Sequence, residues 1–345
     1  MVTGKDIQVV AASGPEDDVS GHRNGKKYLV TTTLYDNLSV LKRTGLSIPS
    51  REFVSDIERE LISMLRENFA GESVEVTEMP FSEICDGVVA RAVDAKKKHP
   101  DAVVVSTAPL IAYEAEGQCI RLNRIVDING ELIGIGPRPG NPSIRKQIEK
   151  LIKGDSIIII EDGSFTGSSL KFLLKAFFGR EVKTIVLGLL FSDAGESLRQ
   201  EYDGEISCFL DPKTDLLEWM PSHDFFPFVP NSGRVIGFPL GTRCFPHHLY
   251  YGASLSMPYI LPYGDPEKWA SLRGGKKFAL KFSKKCLDMT YDLFREIAKL
   301  NHGSLAIGDL MGFHPSASIP ISSGSSGFPE QSDQVLGVLH GGLIC

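Results

Sequence analysis

The chain lacks any run approaching the roughly 18 to 20 apolar residues of a membrane-spanning helix. Its first residues, Met1-Val2-Thr3-Gly4-Lys5-Asp6, are polar and carry no apolar core, so no signal peptide is expected. A basic excess is missing too: 37 Lys and Arg stand against 43 Asp and Glu, for a net charge of −6. A general nucleic-acid surface needs the opposite balance. The cysteines (Cys85, Cys119, Cys208, Cys244, Cys286 and Cys345) are scattered without a C-x-x-C pair. That spacing argues against a zinc site and for reduced, buried or incidental thiols. A cytoplasmic location is therefore expected, with neither membrane nor nucleic acid as partner. There is no G-x-S-x-G elbow for a serine hydrolase and no G-x-x-x-x-G-K-[ST] loop for an ATPase. No G-x-G-x-x-G follows a strand, which leaves dinucleotide binding without support. His247-His248 has no further ligands in register and is not read as a metal site.

What the chain does have is concentrated between Ser156 and Leu170. Ile157 to Ile160 form a continuous β-branched run that leads into Glu161-Asp162 and then Gly163-Ser164-Phe165-Thr166-Gly167-Ser168-Ser169. Such a run reads as a strand buried on both faces, hence a parallel sheet covered by helices. Ligands bind at the carboxyl ends of those strands, where the two acids fall. The turn after them offers backbone N–H groups and hydroxyls at a helix N-terminus, which suits a phosphate. The plain alternative is an ordinary strand-to-helix turn with two solvated acids at its mouth.

Glu161-Asp162-Gly163-Ser164-Phe165-Thr166-Gly167-Ser168-Ser169 resembles, without a gap, the phosphoribosyl diphosphate (PRPP) motif of type I phosphoribosyltransferases. The resemblance implies that Glu161 and Asp162 hold the ribose hydroxyls, with Mg²⁺ close by and Asp162 reaching it through the ligand. It implies that the backbone and hydroxyls of Thr166, Gly167, Ser168 and Ser169 hold the 5′-phosphate, with Gly163 and Ser164 also among the PRPP-binding residues. Gly167 is expected to let the backbone approach that phosphate closely. One departure is Phe165, where family members acting on 6-oxopurines carry an Asp. Phe165 cannot accept a proton or a hydrogen bond, so a hypoxanthine- or guanine-type acceptor is in doubt.

Around this centre the pattern alternates. Ala102 to Ser106 reads as a second buried strand, and Ser106-Thr107 at its carboxyl end fall where the family carries its pyrophosphate loop. Thr184 to Leu190 and Ile206 to Leu210 read as further strands, with helical stripes between them. The expected class is α/β, a parallel sheet flanked by helices, with a loop-rich C-terminal extension. Ile120 to Ile128, the turn Asn129-Gly130 and Glu131 to Ile135 read as a hairpin leading to Gly136-Pro137-Arg138-Pro139-Gly140. The resemblance implies a mobile lid here, with Arg121, Arg124 and Arg138 as candidate pyrophosphate ligands.

By segments, 1–27 is a polar lead-in and 28–230 the phosphoribosyltransferase-like domain. Residues 231–345 form an extension with one long helix, from about Lys276 to Leu300, and a Gly/Ser/Pro-rich tail. Crowded aromatics from Trp219 to Trp269 are expected mostly to pack that C-terminal lobe, with some available to stack on a ring. Two functions fit. One is a Mg²⁺-dependent phosphoribosyltransferase using PRPP and an unidentified small-molecule acceptor, with a homodimer as the assembly to test. The other is a PRPP- or nucleotide-binding regulator of the same fold without turnover.

Overall fold

The computed structural model describes residues 26–127, 131–138, 141–210, 216–240, 243–246, 256–261, 264–303, 305 and 310. Among them the strands in chain order are β1 (Lys26–Thr32), β2 (Val74–Pro80), β3 (Val103–Ser106), β4 (Gln118–Cys119) and β5 (Leu122–Val126). They continue as β6 (Leu132–Pro137), β7 (Ser156–Ser164), β8 (Glu181–Leu190) and β9 (Glu205–Leu210). The last are β10 (Leu216–Pro221), β11 (Arg234–Leu240), β12 (Arg243–Pro246) and β13 (Ser256–Met257). The helices begin with α1 (Leu34–Ser39), α2 (Arg51–Asn68), α3 (Phe81–Lys98), α4 (Pro109–Glu114) and α5 (Ile144–Leu151). Then come α6 (Ser168–Ala176), α7 (Ser192–Arg199), α8 (Pro266–Ala270) and α9 (Gly275–Leu300). No described helix is long and apolar enough to cross a membrane.

The chain divides into two compact units that interleave in sequence, so neither coincides with the contiguous segment 28–230. The first holds Pro80–Leu122 and Pro142–Leu216. Its sheet runs β4-β3-β7-β8-β9, and the paired strands are parallel throughout. Ile157, Ile158, Ile159 and Ile160 are all 0 % exposed, which is why the run has no polar alternation: both faces of β7 are covered. Each such side chain contributes about 1.5–3 kcal/mol of burial free energy. α3 packs on β7, β8 and β9 through Ile84, Val88, Ala92 and Ala95, one side of an amphipathic helix. Pro109 stands in the first turn of α4, where its missing N–H costs nothing. The architecture is thus α/β, a parallel sheet flanked by helices.

The second unit holds Lys26–Met79, Asn123–Asn141 and the described part of Leu217–Cys345. It contains a three-stranded sheet, β10-β1-β2, and a five-stranded one ordered β12-β11-β5-β6 with β13 paired to β11. Ser50 caps α2, its hydroxyl accepting from the Phe53 N–H at 3.2 Å. Tyr28, Leu61, Leu65, Phe225, Phe282 and Phe294 belong to one buried cluster. The described part of 231–345 therefore shares a core with β1 and α2 and is not a mere appendage. Phe225, Phe226, Tyr259 and Trp269 are buried, which fits the packing role expected for most of the aromatics.

The expected hairpin is also a sheet component. β5 and β6 are neighbours, but β5 pairs in parallel with β11 on its other side, Ile125 opposite Val235 and Val126 opposite Ile236. Ile125 and Val126 are buried. These bonds and this burial correct the lid expectation for the strands themselves, because a lid must part from its neighbours cheaply. The turn at Asn129-Gly130 and the pair Pro139-Gly140 lie outside the described residues, as do 1–25, His247-His248 and the tail from 311.

Candidate functional site

The candidate site occupies the carboxyl end of the first unit's sheet. Strand β7 outruns its neighbour: Ser106, the last residue of β3, pairs with Ile160, while β7 continues to Ser164 beside Leu190 of β8. Gly163 and Ser164 therefore belong to the strand and not to the loop after it. The register sets Thr107 beside Glu161. Glu161 is buried, and its two oxygens accept from the Thr107 N–H and, at 2.7 Å, from the Thr107 hydroxyl. The expectation of two solvated acids thus needs correction for Glu161. Its carboxylate fastens the loop after β3, so its role is to position that loop. The loop is further tied by Ser106, whose buried hydroxyl accepts from the Ala108 N–H at 3.0 Å.

Asp162 is half-buried and accepts from the Gly163 N–H at 2.9 Å. Its backbone is closely confined. A Cβ on Gly188 of β8 would lie 2.3 Å from the Asp162 carbonyl oxygen and 2.3 Å from Ile84 Cγ2. Only a residue without a side chain lets β8 and α3 approach Asp162 this closely.

The turn follows. Thr166 is exposed, and its hydroxyl lies 2.9 Å from that of Ser168. Gly167 has φ 76°, the left-handed region, and stands at the N-cap of α6, where the Ser168 N–H donates to the Thr166 hydroxyl oxygen at 3.5 Å. No acid stands in the first turn of α6, where Ser168 and Ser169 are half-buried. Amides at a helix start, flanking hydroxyls and the positive end of a helix dipole are what an anion requires. The Gly167 position has a second constraint that the sequence does not reveal. A Cβ there would meet Leu198 Cγ at 3.3 Å and the Ala194 carbonyl at 3.5 Å, both on α7. The positive φ agrees with the conformational freedom expected of this glycine, and the close fit against α7 adds to it. Gly167→Ala is expected to cost about 1 kcal/mol through the positive φ, readable as a lowered denaturant midpoint without any ligand present.

Phe165, 36 % exposed, lies against Phe191 with the rings tilted by 34° and their centroids 3.9 Å apart. The pairing of Ser164 with Leu190 sets the next residue of each strand side by side. Phe191 is invisible to motif reading because it lies one residue beyond the apolar run of β8.

The arginines divide between the units. Arg121 belongs to the first, and its backbone is held on both sides by Gln147, which accepts from the Arg121 N–H at 2.7 Å and donates to the Arg121 carbonyl at 3.2 Å. Arg124 and Arg138 belong to the second. Arg138 donates to Asn231 Oδ1 at 2.8 Å. Burial depresses the His223 pKa; the nearby Asp224 opposes that fall and Arg138 adds to it. Burial raises the Glu218 carboxyl above its usual range, and Arg124 is among the groups opposing that rise. Both arginines thus have roles inside their own unit.

Among the described residues no three His, Cys, Asp or Glu side chains gather to hold a metal ion. Asp162 can contribute one carboxylate to an ion whose remaining ligands come from a bound phosphate and water, the usual situation for Mg²⁺.

No family model matches the chain, and no curated protein does. Among solved structures the chain is similar to TT1426 from Thermus thermophilus, at 15 % identity and TM-score 0.26, over 37 % of this chain and 83 % of that one. It is also similar to the orotate phosphoribosyltransferase of Mycobacterium tuberculosis, crystallised with inorganic phosphate. There the identity is 16 % and the TM-score 0.22, over 45 % of this chain and 87 % of that one. At these TM-scores neither likeness carries a function over to this chain.

Proposed function

We propose that the β7–α6 junction binds PRPP and that the protein is a Mg²⁺-dependent phosphoribosyltransferase. One observation carries the reading: a half-buried carboxylate, just past the fully buried isoleucine run of a parallel strand, stands six residues before the start of a hydroxyl-rich helix. The 5′-phosphate would sit on the amides of Ser168 and Ser169 with the hydroxyls of Thr166 and Ser168 beside it. Asp162 would hold the ribose hydroxyls and, through the ligand, Mg²⁺. When bound, that ion supplies charge neutralisation for the pyrophosphate leaving group. The Thr107 loop, fixed by Glu161, would line the leaving-group side. An acceptor nitrogen attacks the anomeric carbon as the bond to pyrophosphate breaks. The chain's contribution is positioning and electrostatics, so no protein nucleophile is required.

A regulator that binds PRPP or a nucleotide without turnover is the second reading. It is favoured by Phe165, which offers no proton acceptor beside the reacting centre.

Calorimetry with PRPP and Mg²⁺ tests both. Asp162→Asn is expected to weaken PRPP at least about tenfold, the loss of a charge-assisted bond. Ser169→Ala is expected to lose less. PRPP bound but not consumed, by mass spectrometry over a panel of nucleobases and amines, would select the regulator. Undetectable PRPP binding by the wild-type protein would overturn both.

A further inference from the structure

The second unit sets two arginines side by side on one sheet. Strands β5 and β11 run parallel with Ile125 opposite Val235 and Val126 opposite Ile236, so the same register places Arg124 beside Arg234. Neighbouring residues across a pleated sheet share a face, and like charges so placed repel. Their common surroundings agree: burial raises the pKa of Glu218 and of Tyr259, and Arg234 and Arg124 are among the charges that oppose both rises. Both arginines are half-buried. Arg234 is held in place. Its Nε donates to the Tyr259 hydroxyl at 3.0 Å, and its guanidinium carbon lies 4.9 Å from the Tyr259 ring centre and 5.4 Å from that of Trp269.

Glu218 does not discharge the pair. Its two oxygens accept from the Trp219 N–H at 3.1 Å and from the Ser271 hydroxyl at 2.6 Å. Among the described residues neither arginine forms an ion pair, and Arg124 makes no hydrogen bond. The buried indole N–H of Trp269 likewise has no acceptor among them. One carboxylate thus faces two guanidinium charges, and the donors of Arg124 and the terminal nitrogens of Arg234 point to a further acceptor. We infer that Arg124 and Arg234 form a binding site for a phosphoryl group. A carboxylate matches one guanidinium fork, whereas a phosphate has oxygens for two. A phosphate ester's charge of about −1.5 to −2 at neutral pH also offsets the excess that Glu218 leaves. Every group named belongs to the second unit and the β7–α6 junction to the first, so the inference is independent of the PRPP reading.

The test uses the full chain, low-millimolar inorganic phosphate, and urea unfolding followed by tryptophan fluorescence, because Trp219 and Trp269 both lie in the second unit. Phosphate is expected to raise the wild-type midpoint, and acetate at equal ionic strength is not. The affinity read from the phosphate dependence of that midpoint is expected to fall about tenfold or more in Arg124→Gln and in Arg234→Gln, the loss of a charge-assisted bond. Arg124→Lys, which keeps the charge without the fork, should fall between. In phosphate-free buffer Arg124→Gln is expected to be as stable as the wild type or slightly more so, since it removes a repulsion and no bond to a described residue. A wild-type midpoint that phosphate leaves unmoved, or an Arg124→Gln protein that responds to phosphate like the wild type, would overturn the inference. Acetate matching phosphate would overturn the assignment to a phosphoryl group. Failure of PRPP to bind would overturn the reading of the junction and leave this site standing.

Discussion

Gly188→Ala is expected to cost about 3 kcal/mol or more, at the upper end for forcing extra volume into a packed core. The new methyl carbon falls 2.3 Å from both the Asp162 carbonyl oxygen and Ile84 Cγ2. One of these is backbone in the middle of a sheet and cannot rotate away. Strand β8 must therefore part from β7 or from α3, and either movement shifts Asp162. PRPP binding is expected to fail along with stability. The readout must be local, because Trp219 and Trp269 both lie in the second unit and their fluorescence reports that unit. Hydrogen exchange of the amides of 156–164 reports the first. Gly195→Ala is the control: its Cβ meets Leu190 Cδ2 at an ordinary 3.6 Å inside α7. That change should be neutral or stabilising by up to about 1 kcal/mol, as for glycine replaced in a helix. Unaltered exchange in Gly188→Ala would show that the sheet yields more easily than its geometry implies.

This contrast also marks the boundary of what sequence reading can reach. The sheet is legible because burial on both faces removes polar alternation, and Ile157 to Ile160 display that directly. Helix α9 is legible from its apolar stripe, and its described limits, Gly275–Leu300, fall close to the expected Lys276 to Leu300. The junction 161–169 is legible as a motif because its residue types are local in the chain. What stays hidden is non-local. Glu161 reads as solvated because nothing in its neighbourhood of sequence names Thr107, which lies 54 residues earlier and meets it only through the β3–β7 register. In the sequence Gly188 is only one member of the apolar run Thr184 to Leu190, and its neighbours across the sheet and on α3 are set by packing. The segment 120–140 resembles a lid because a hairpin signal says nothing about a third strand joining it, and β11 comes more than 100 residues later. Sequence position groups Arg124 and Arg138 with the site, yet the fold gives them to the second unit with partners there.

The two acids are expected to separate cleanly in experiment, although they are adjacent in sequence. Glu161→Ala removes the acceptor of the Thr107 N–H and hydroxyl at a buried position. An unsatisfied buried donor costs about 1–3 kcal/mol, and the cavity left by the missing side chain adds to it. Glu161→Gln keeps an oxygen that can accept from the N–H, while its amide can donate to the Thr107 oxygen. It should lose less than about 1 kcal/mol. Asp162→Asn alters a half-exposed group and should change stability by no more than about 0.5 kcal/mol. Ligand binding should rank differently. Asp162→Asn is expected to lose PRPP with its fold intact. Glu161→Gln should retain much of the affinity, because it still fastens the loop after β3. Thr107→Val completes a double-mutant cycle with Glu161→Ala, and a coupling of about 0.5–3 kcal/mol is expected for two groups in direct contact. Exchange at the amides of 103–108 would then rise in either single mutant and rise little further in the double. A cycle that closes to zero, or an Asp162→Asn protein as unstable as Glu161→Ala, would show that the pair acts as one solvated charge cluster and that Glu161 does not hold the loop.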